Sequence, residues 1–261
     1  TGAGGQIGGD LDGTYAYGKL QIPLLDDVAA EVQAHLQSHT PDYGFMLYQS
    51  DYVNYNWQNN FKNIRKQQLR FDLLSDKWFH SQVAYTGMDN FTYFTLDEQL
   101  ETPKAYQYDK RVDYLKVRVQ KEQHFGKFGI EAQVQYQEVM SGEEVLSVPK
   151  LLSRATLFYQ DHWFNRAMFM QTGISATHFT KYYMNAYDPV IGDFYVQKEE
   201  KYGDFPMLNL FFNAKVRQTR IYLSYDYLNE LFTSKSKHFS APDYPYRDAV
   251  IRFGLVWNFF Q

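Results

Sequence analysis

Residues 248–261 read Asp248-Ala-Val-Ile-Arg-Phe-Gly-Leu-Val-Trp-Asn-Phe-Phe-Gln261 and alternate without a break. Because successive side chains of a β-strand point to opposite sides, the run separates into two faces. One face is apolar and aromatic throughout: Ala249, Ile251, Phe253, Leu255, Trp257 and Phe259. The opposite face includes Arg252, Gly254 and Asn258. An apolar stripe of about ten residues that ends on aromatic rings is typical of a strand that crosses a bilayer at a tilt, with lipid on one side and water on the other.

The same two-residue period returns along the chain from Gly13 onward, each time with one apolar and one polar face. Between Phe128 and Gln137, apolar side chains alternate with one glycine, one glutamate and three glutamines. A dry protein core accepts no such face without polar partners. Residues 28–37 also fit the apolar face of a helix, and their neighbours favour a strand. The whole pattern gives about eleven long strands and predicts an all-β chain.

The connections between these strands are of two kinds, and the two kinds alternate. Short turns fall near residues 24–27, 75–77, 124–126, 162–165 and 217–219, and long loops fall at 38–62, 88–110, 139–150, 181–206 and 230–246. In outer-membrane barrels the short turns face the periplasm and the long loops face outside. The sequence therefore predicts a transmembrane antiparallel up-and-down β-barrel across residues 13–261, with its C-terminus on the periplasmic side.

The beginning of the chain departs from this pattern. Residues 1–12 are rich in glycine, which predicts a loop or the end of an upstream segment. Single-chain bacterial barrels close with even numbers of strands. About eleven strands therefore predict one part of a larger, even-numbered barrel.

The composition excludes several other classes of protein. A net charge of −4 argues against a nucleic-acid partner, and the absence of cysteine excludes disulfides and thiolate metal sites. The mean hydropathy is −0.52, and no apolar run approaches the roughly 18 residues of a transmembrane helix. The 23 tyrosines and 21 phenylalanines suit membrane girdles, but they also suit a soluble carbohydrate-binding protein. We expect a periplasmic girdle from the rings near the short turns: Trp78, Trp163, Phe164, Trp257 and Phe259.

Catalytic and metal-binding patterns are sparse. The histidines are scattered among strands and loops, and the chain has neither a cysteine nucleophile nor a Gly-x-Ser-x-Gly elbow. The acids of residues 141–144 and Asp226 carry the oxygen ligands that a divalent cation prefers, although loop acids are usually solvated. The sequence therefore predicts that the protein is not an enzyme and uses no cofactor or metal.

Several short motifs follow one another in the order of a known family. They are Thr40-Pro-Asp-Tyr43, Asn54-Tyr-Asn-Trp57, Asn60-Phe-Lys62, Leu146-Ser-Val-Pro149, Phe179-Thr-Lys-Tyr-Tyr-Met-Asn-Ala-Tyr-Asp-Pro189, Tyr202-Gly-Asp-Phe-Pro206, Tyr244-Pro-Tyr246, Arg252-Phe-Gly254 and Trp257. With this order, residues 9–261 resemble the C-terminal part of the large "putative porin" family of the Bacteroidetes outer membrane. The resemblance implies a β-barrel channel for passive diffusion in a Gram-negative outer membrane. Members of that family are longer, so the resemblance also implies that upstream strands are missing here.

Three functions fit these patterns. The first is a porin-like channel whose partners are outer-membrane lipid and small hydrophilic solutes or ions. The second is a structural or docking barrel subunit of a larger outer-membrane complex for secretion or nutrient uptake, and a homo-oligomer is a related arrangement. The third is a soluble sugar-binding β-protein, which explains the tyrosines but neither the apolar stripe nor the alternating connections.

Charged residues on the predicted inward faces form the candidate selectivity site. The basic ones are Lys19, Arg70, Lys116, Arg118, Arg154, Lys215 and Arg252, and the acidic ones are Glu31, Asp72, Glu131 and Asp226. Because basic groups outnumber acidic ones, the wall is predicted to lower the energy of anions in the bore and to give a mild anion preference. The alternative is that these groups pair across neighbouring strands, which would cancel the field.

Overall fold

The computed structural model describes residues 2–6, 12–75, 77–232 and 238–259. Twelve strands form one large sheet in these residues. They are β1 (Gly2–Gln6), β2 (Gly13–Leu25), β3 (Val28–His39), β6 (Ile64–Leu74), β7 (His80–Asp89), β10 (Val112–Phe125), β11 (Phe128–Ser141), β12 (Leu151–Trp163), β13 (Met168–Phe179), β16 (Met207–Val216), β17 (Thr219–Asp226) and β20 (Val250–Trp257). The eight strands numbered between these are short and lie in the loops.

Each strand of the large sheet pairs antiparallel with the next one along the chain, so the topology is up-and-down. The eleven long strands from β2 to β20 confirm the predicted all-β, antiparallel fold. The register of the pairing places the apolar residues of neighbouring strands opposite one another: Ile130 lies opposite Leu157, which lies opposite Ile174. Among the described residues, β1 and β20 each pair on one side and form the two edges of the sheet.

Part of the glycine-rich segment predicted as a loop or upstream end, residues 1–12, forms strand β1. Gly2 and Gly4 lie under the rings of Tyr17 and Tyr15, and a Cβ on Gly2 would come within 2.4 Å of the Tyr17 ring. Backbone pairing with β2 and the covering tyrosine rings stabilise a strand that has little side-chain packing of its own. Residues 1 and 7–11 lie outside the described part of the chain.

The two faces of the large sheet differ in exposure. On the apolar face, Leu157 is 53% exposed and Phe253 is 82% exposed. On the polar face, Gln137 is 6% exposed and Thr156 is 8% exposed. Polar side chains are therefore crowded together while large apolar side chains meet the surroundings, which reverses the arrangement of a water-soluble protein and matches a barrel wall in lipid.

The short turns form one end of the sheet. Gly126, in the turn between β10 and β11, has a φ of 63°, a left-handed conformation that glycine adopts without strain. The predicted girdle rings lie at this end, and each is exposed, from 44% for Trp163 to 73% for Phe164 and Phe259. Trp257 and Phe259 stack with their ring centroids 4.8 Å apart. Exposed rings at the strand ends are what an interfacial girdle requires.

The long loops at the other end contain structure of their own. Their elements are α1 (Tyr43–Met46), β4 (Leu47–Tyr48), β5 (Trp57–Gln58), β8 (Thr92–Leu96), β9 (Pro103–Gln107), β14 (Ala186–Asp188), β15 (Asp193–Val196), a 3-10 helix (Leu228–Leu231), β18 (Phe239–Ala241) and β19 (Tyr244–Pro245). Four of these strands form a second sheet in the order β14-β15-β8-β9, in which β15 and β8 pair in parallel. Two long loops that are distant in sequence therefore share one sheet.

Helices contribute little to the described residues. None of them is long and apolar enough to cross a membrane.

Candidate functional site

All eleven charged residues of the predicted selectivity site lie on the polar face of the large sheet. Register establishes this placement: Glu31 lies opposite Asp72, Arg118 opposite Gln82, and Glu131 opposite Thr156. The same alternation places Lys215 beside Arg220 and Arg252 beside Ser224. The candidate site is therefore one continuous polar face that runs from β2 to β20 rather than a single pocket, and nine of its strands supply the eleven charged residues.

Two of the acidic residues form tight ion pairs with basic residues of the same face. Lys19 Nζ lies 2.6 Å from Glu31 Oε2. Arg70 donates from Nε to Asp72 Oδ2 at 2.6 Å and from Nη2 to Asp72 Oδ1 at 2.8 Å. Gln82 Nε2 donates to the same carboxylate at 3.0 Å. Glu31 and Asp72 are buried, so each carboxylate needs these donors to offset its desolvation.

The third ion pair lies near the other edge of the sheet. Arg252 is paired with Asp226, and Arg247 Nη2 lies 4.0 Å from the same carboxylate. Asp226 is buried while both arginines are more than half exposed. Two of the three pairs, Lys19 with Glu31 and Arg252 with Asp226, join neighbouring strands as the predicted alternative has it, whereas Arg70 and Asp72 pair within β6.

The remaining charges are mostly basic. Lys116, Arg118, Arg154 and Lys215 have no ion-pair partner among the described residues, and Glu131 is the acidic member of the predicted set without one. Arg118 instead donates from Nη2 to the amide oxygens of Gln120 at 2.9 Å and Gln133 at 2.7 Å. These amides hold the guanidinium in place without neutralising it, so its charge still acts on the adjoining space.

Arg118 also lines a polar recess with Arg70, Asp72, His80 and Gln82. The recess has a volume of about 170 Å³. It lies where β6, β7 and β10 run side by side. Two arginines beside one carboxylate make this recess a net basic part of the face.

The predicted selectivity set leaves out three further charges on the polar face. Lys66 shares the parity of Arg70 on β6, Arg220 lies opposite Lys215, and Glu122 lies opposite Glu131. The two-residue period within each strand was the signal that identifies them. Two of the three are basic, so they leave the polar face net basic.

Two histidines, His35 and His39, have the four-residue spacing of a helical metal-binding pair. They lie on strand β3, where four residues span about 13 Å, so the spacing that brings two rings together on a helix keeps them apart here. Among the described residues, no group of three or more histidines, cysteines and acids could hold a metal ion.

The long loops are joined to one another above the end of the polar face. Tyr55 donates from its hydroxyl to Asp188 Oδ2 at 2.9 Å, and the hydroxyl of Tyr48 donates to the carbonyl of Val190. Phe45 stacks on Phe94 with ring centroids 4.4 Å apart. These contacts join three loops, 40–63, 90–111 and 180–206, into one assembly.

Burial and the hydrogen bond to Asp188 raise the pKa of Tyr55 from 10.0 to about 12. A folded-state pKa above the unfolded value favours the neutral phenol in the folded loops. The contribution of Tyr55 is therefore fully present below about pH 10 and is lost as the pH rises through about 12.

Tyr55→Phe is expected to loosen this loop assembly without affecting the sheet. Losing one hydrogen bond costs about 0.5–1.5 kcal/mol, so backbone amides of 186–196 should exchange with solvent up to about tenfold faster. Hydrogen-exchange mass spectrometry measures this difference. Tyr52→Phe is the matched control, because Tyr52 is 64% exposed and the centroid of its ring lies 6.2 Å from that of Tyr55. Equal exchange in the two variants would contradict the proposed role of the Tyr55 bond.

Comparison with solved structures supports the same architecture. The chain is similar to the FrpB iron transporter from Neisseria meningitidis (F3-3 variant), with a TM-score of 0.57 and 12% sequence identity. The match covers 96% of this chain and 43% of that one, so the chain spans less than half the length of that protein. At this identity the likeness concerns the fold. No curated protein matches the chain.

The up-and-down sheet, with one apolar exposed face and one polar face, has the arrangement of the wall of an outer-membrane β-barrel. The chain belongs to the "Putative porin" family, whose model matches residues 2–261. The match confirms the family resemblance. Membership fits contact with the membrane and with small solutes.

Proposed function

We propose that the polar face lines a channel through which small hydrophilic solutes diffuse passively across the outer membrane. The observation that carries this proposal is the continuous polar face, on which ion pairs at both sides of the sheet flank an arginine–amide cluster at β10 and β11 while the opposite face exposes large apolar side chains. Such a wall keeps water and solutes on one side and lipid on the other. In this arrangement residues 13–261 form barrel wall and loops, and the C-terminus lies on the periplasmic side.

The channel is mildly anion-preferring. Three acidic residues of the wall are neutralised by Lys19, Arg70 and Arg252, whereas Lys116, Arg118, Arg154 and Lys215 have no carboxylate partner among the described residues. Their positive charge lowers the energy of anions that pass close by. At physiological salt the screening length is about 8 Å, so ions in the middle of a wide bore are little affected.

Lys116→Glu combined with Arg118→Glu is expected to move the reversal potential of the reconstituted full-length protein toward cations. The change replaces two positive charges with two negative ones on adjacent inward positions of β10. Measurements in a salt gradient would show anion preference in the wild type and its loss in the double variant.

Lys121→Glu is the control for this experiment, because Lys121 lies on the other face of β10. It should leave the reversal potential unchanged. Cation preference in the wild type, or an unchanged potential in the double variant, would refute the basic-wall proposal.

The alternative function is a docking subunit of a larger outer-membrane complex or a homo-oligomer. Exposed rings on the loop assembly favour it: Tyr43 is 69% exposed, Tyr52 64% and Phe194 49%. Aromatic side chains are enriched in protein interfaces. Detergent-solubilised complexes that retain a second protein at a fixed ratio, and lose it after Tyr43→Ser with Tyr52→Ser, would support this alternative.

A further inference from the structure

One tyrosine in the loop of residues 180–206 lies between two lysines. The ammonium nitrogen of Lys198 is 5.1 Å from the centre of the Tyr183 ring, and that of Lys201 is 4.8 Å from it. Each contact is a favourable cation–π interaction. Together they hold two like charges close to one ring, which is unfavourable unless something negative neutralises them.

This pair forms part of a larger cluster, which we call the lysine basin: Lys150, Lys181, Lys198, Lys201 and Tyr183. These residues line a cavity of about 260 Å³ together with Gln137, Ser147 and the acids Glu138 and Glu143. The cavity lies where β11 ends and two long loops leave the wall. A volume of this size accommodates a single tetrahedral oxyanion with its hydration water.

The acids near the basin neutralise it incompletely. Lys150 Nζ lies 3.4 Å from Glu138 Oε1, which is a loose ion pair. Lys198 Nζ donates to the backbone carbonyl of Glu143 at 2.5 Å rather than to its carboxylate. Neither Lys181 nor Lys201 has a carboxylate partner among the described residues, and they bring the number of lysines in the cavity to four against two acids.

The next acid along the chain, Glu144, offsets only part of the charge of the basin. Glu144 accepts a hydrogen bond from the hydroxyl of Tyr108, and this bond is the largest cause of the lowered pKa of Glu144. Glu144 lies outside the residues that line the cavity. Burial lowers the pKa of Lys198. The charges of Glu143 and Glu144 oppose this change, and the charge of Lys201 adds to it. The basin therefore holds ammonium groups that are partly desolvated and close to one another.

We propose that the lysine basin binds a phosphate group. Lysine presents a compact point charge with three donors and binds phosphate as a point charge, and four lysines against two acids favour a multiply charged phosphate over a singly charged carboxylate. A bound phosphate would lie between ammonium groups that otherwise repel one another, and Tyr183 would keep Lys198 and Lys201 in position.

Two sources can supply this phosphate. A phosphate-bearing solute would reach the basin from outside the cell on its way to the polar face, and in that role the basin rests on the proposed channel. A phosphorylated membrane lipid would reach it from the surrounding leaflet, because the basin lies at the loop end of the wall. Both sources present the same chemistry to the lysines.

Isothermal titration of the full-length protein in a neutral detergent with inorganic phosphate, at constant ionic strength, tests the proposal. The wild type should bind phosphate saturably, and Lys198→Gln with Lys201→Gln should weaken binding by about tenfold or more. Lys104→Gln is the matched control, because Lys104 lies over the Trp57 ring at 5.4 Å and is not part of the basin. Heat-modifiable gel mobility would verify that every variant is folded.

A second arm distinguishes the two sources. Phosphatidic acid in mixed micelles that displaces inorganic phosphate would assign the site to a lipid headgroup, and failure to displace it would assign the site to a soluble phosphate. No saturable phosphate binding to the wild type, or equal binding by the folded double variant, would overturn the proposal. Because binding in detergent does not require conduction, failure of the basin and failure of the channel give different results.

Discussion

Ile130→Arg, Leu157→Arg and Leu223→Arg are each expected to lower the free energy of unfolding by about 2–4 kcal/mol, the cost of a basic side chain near the middle of the bilayer. These residues lie on the apolar face and are 40%, 53% and 46% exposed. In water, substitutions at positions so exposed would cost little, because surface changes usually stay within about 0.5 kcal/mol. Reversible unfolding in lipid vesicles, followed by tryptophan fluorescence, measures the difference.

Gln135→Arg provides the control for the lipid-facing series. Gln135 lies on the polar face of β11, and its amide donates to the side chain of Gln137 at 3.1 Å. An arginine here stays in contact with water, so its effect should remain below about 1 kcal/mol. Comparable losses on both faces, or unchanged stability for all three lipid-facing variants, would show that the assignment of the faces is wrong.

Gly173→Ala is expected to destabilise the sheet by about 3 kcal/mol, at the upper end of overpacking costs. A Cβ at this position would come within 2.3 Å of the carbonyl oxygen of Leu157 and 2.9 Å of the Cα of Phe158. Both contacts are with backbone atoms of the neighbouring strand β12, which cannot move without breaking its pairing with β13. Folding yield into detergent or lipid, together with unfolding in denaturant, measures this loss.

Gly87→Ala is the comparison that isolates the backbone clash. A Cβ on Gly87 would also lie too close to a neighbour, 1.9 Å from Nη2 of Arg111, but this atom is the end of a flexible side chain. Arg111 can swing away and keep water contact, so the loss should be below about 1 kcal/mol. A larger loss for Gly87→Ala than for Gly173→Ala would contradict the packing at β12 and β13.

The sequence was sufficient to predict the eleven long strands of the large sheet, though not β1, because a membrane barrel repeats one simple rule. Each strand must present alternate residues to lipid, so period-two alternation identifies the strand, its apolar face and its charged face together. The run from Phe128 to Gln137 illustrates this, and β11 contains it with the predicted faces. The segment of residues 28–37 had an ambiguous local pattern, and pairing with β2 and β6 makes it strand β3.

Contacts between strands and between loops were beyond sequence reasoning. Whether Lys19 meets Glu31 depends on the register of β2 and β3, in which Lys19 lies opposite Gln33 and Glu31 is a diagonal neighbour. The parallel pairing of β15 with β8 joins Tyr195 to Phe94, about a hundred residues away in sequence. No local period marks such contacts, and the lysine basin likewise depends on where two loops leave the wall.

Single-channel recording of the full-length protein in a planar bilayer tests the central claim most directly. A polar face that lines an aqueous path predicts stepwise, ohmic conductance that persists at low voltage, with more of the current carried by anions than by cations. Protein with heat-modifiable gel mobility would confirm that folded barrels were added. Folded protein that inserts into the bilayer and gives no steps above the protein-free membrane would contradict the diffusion channel and favour a docking subunit.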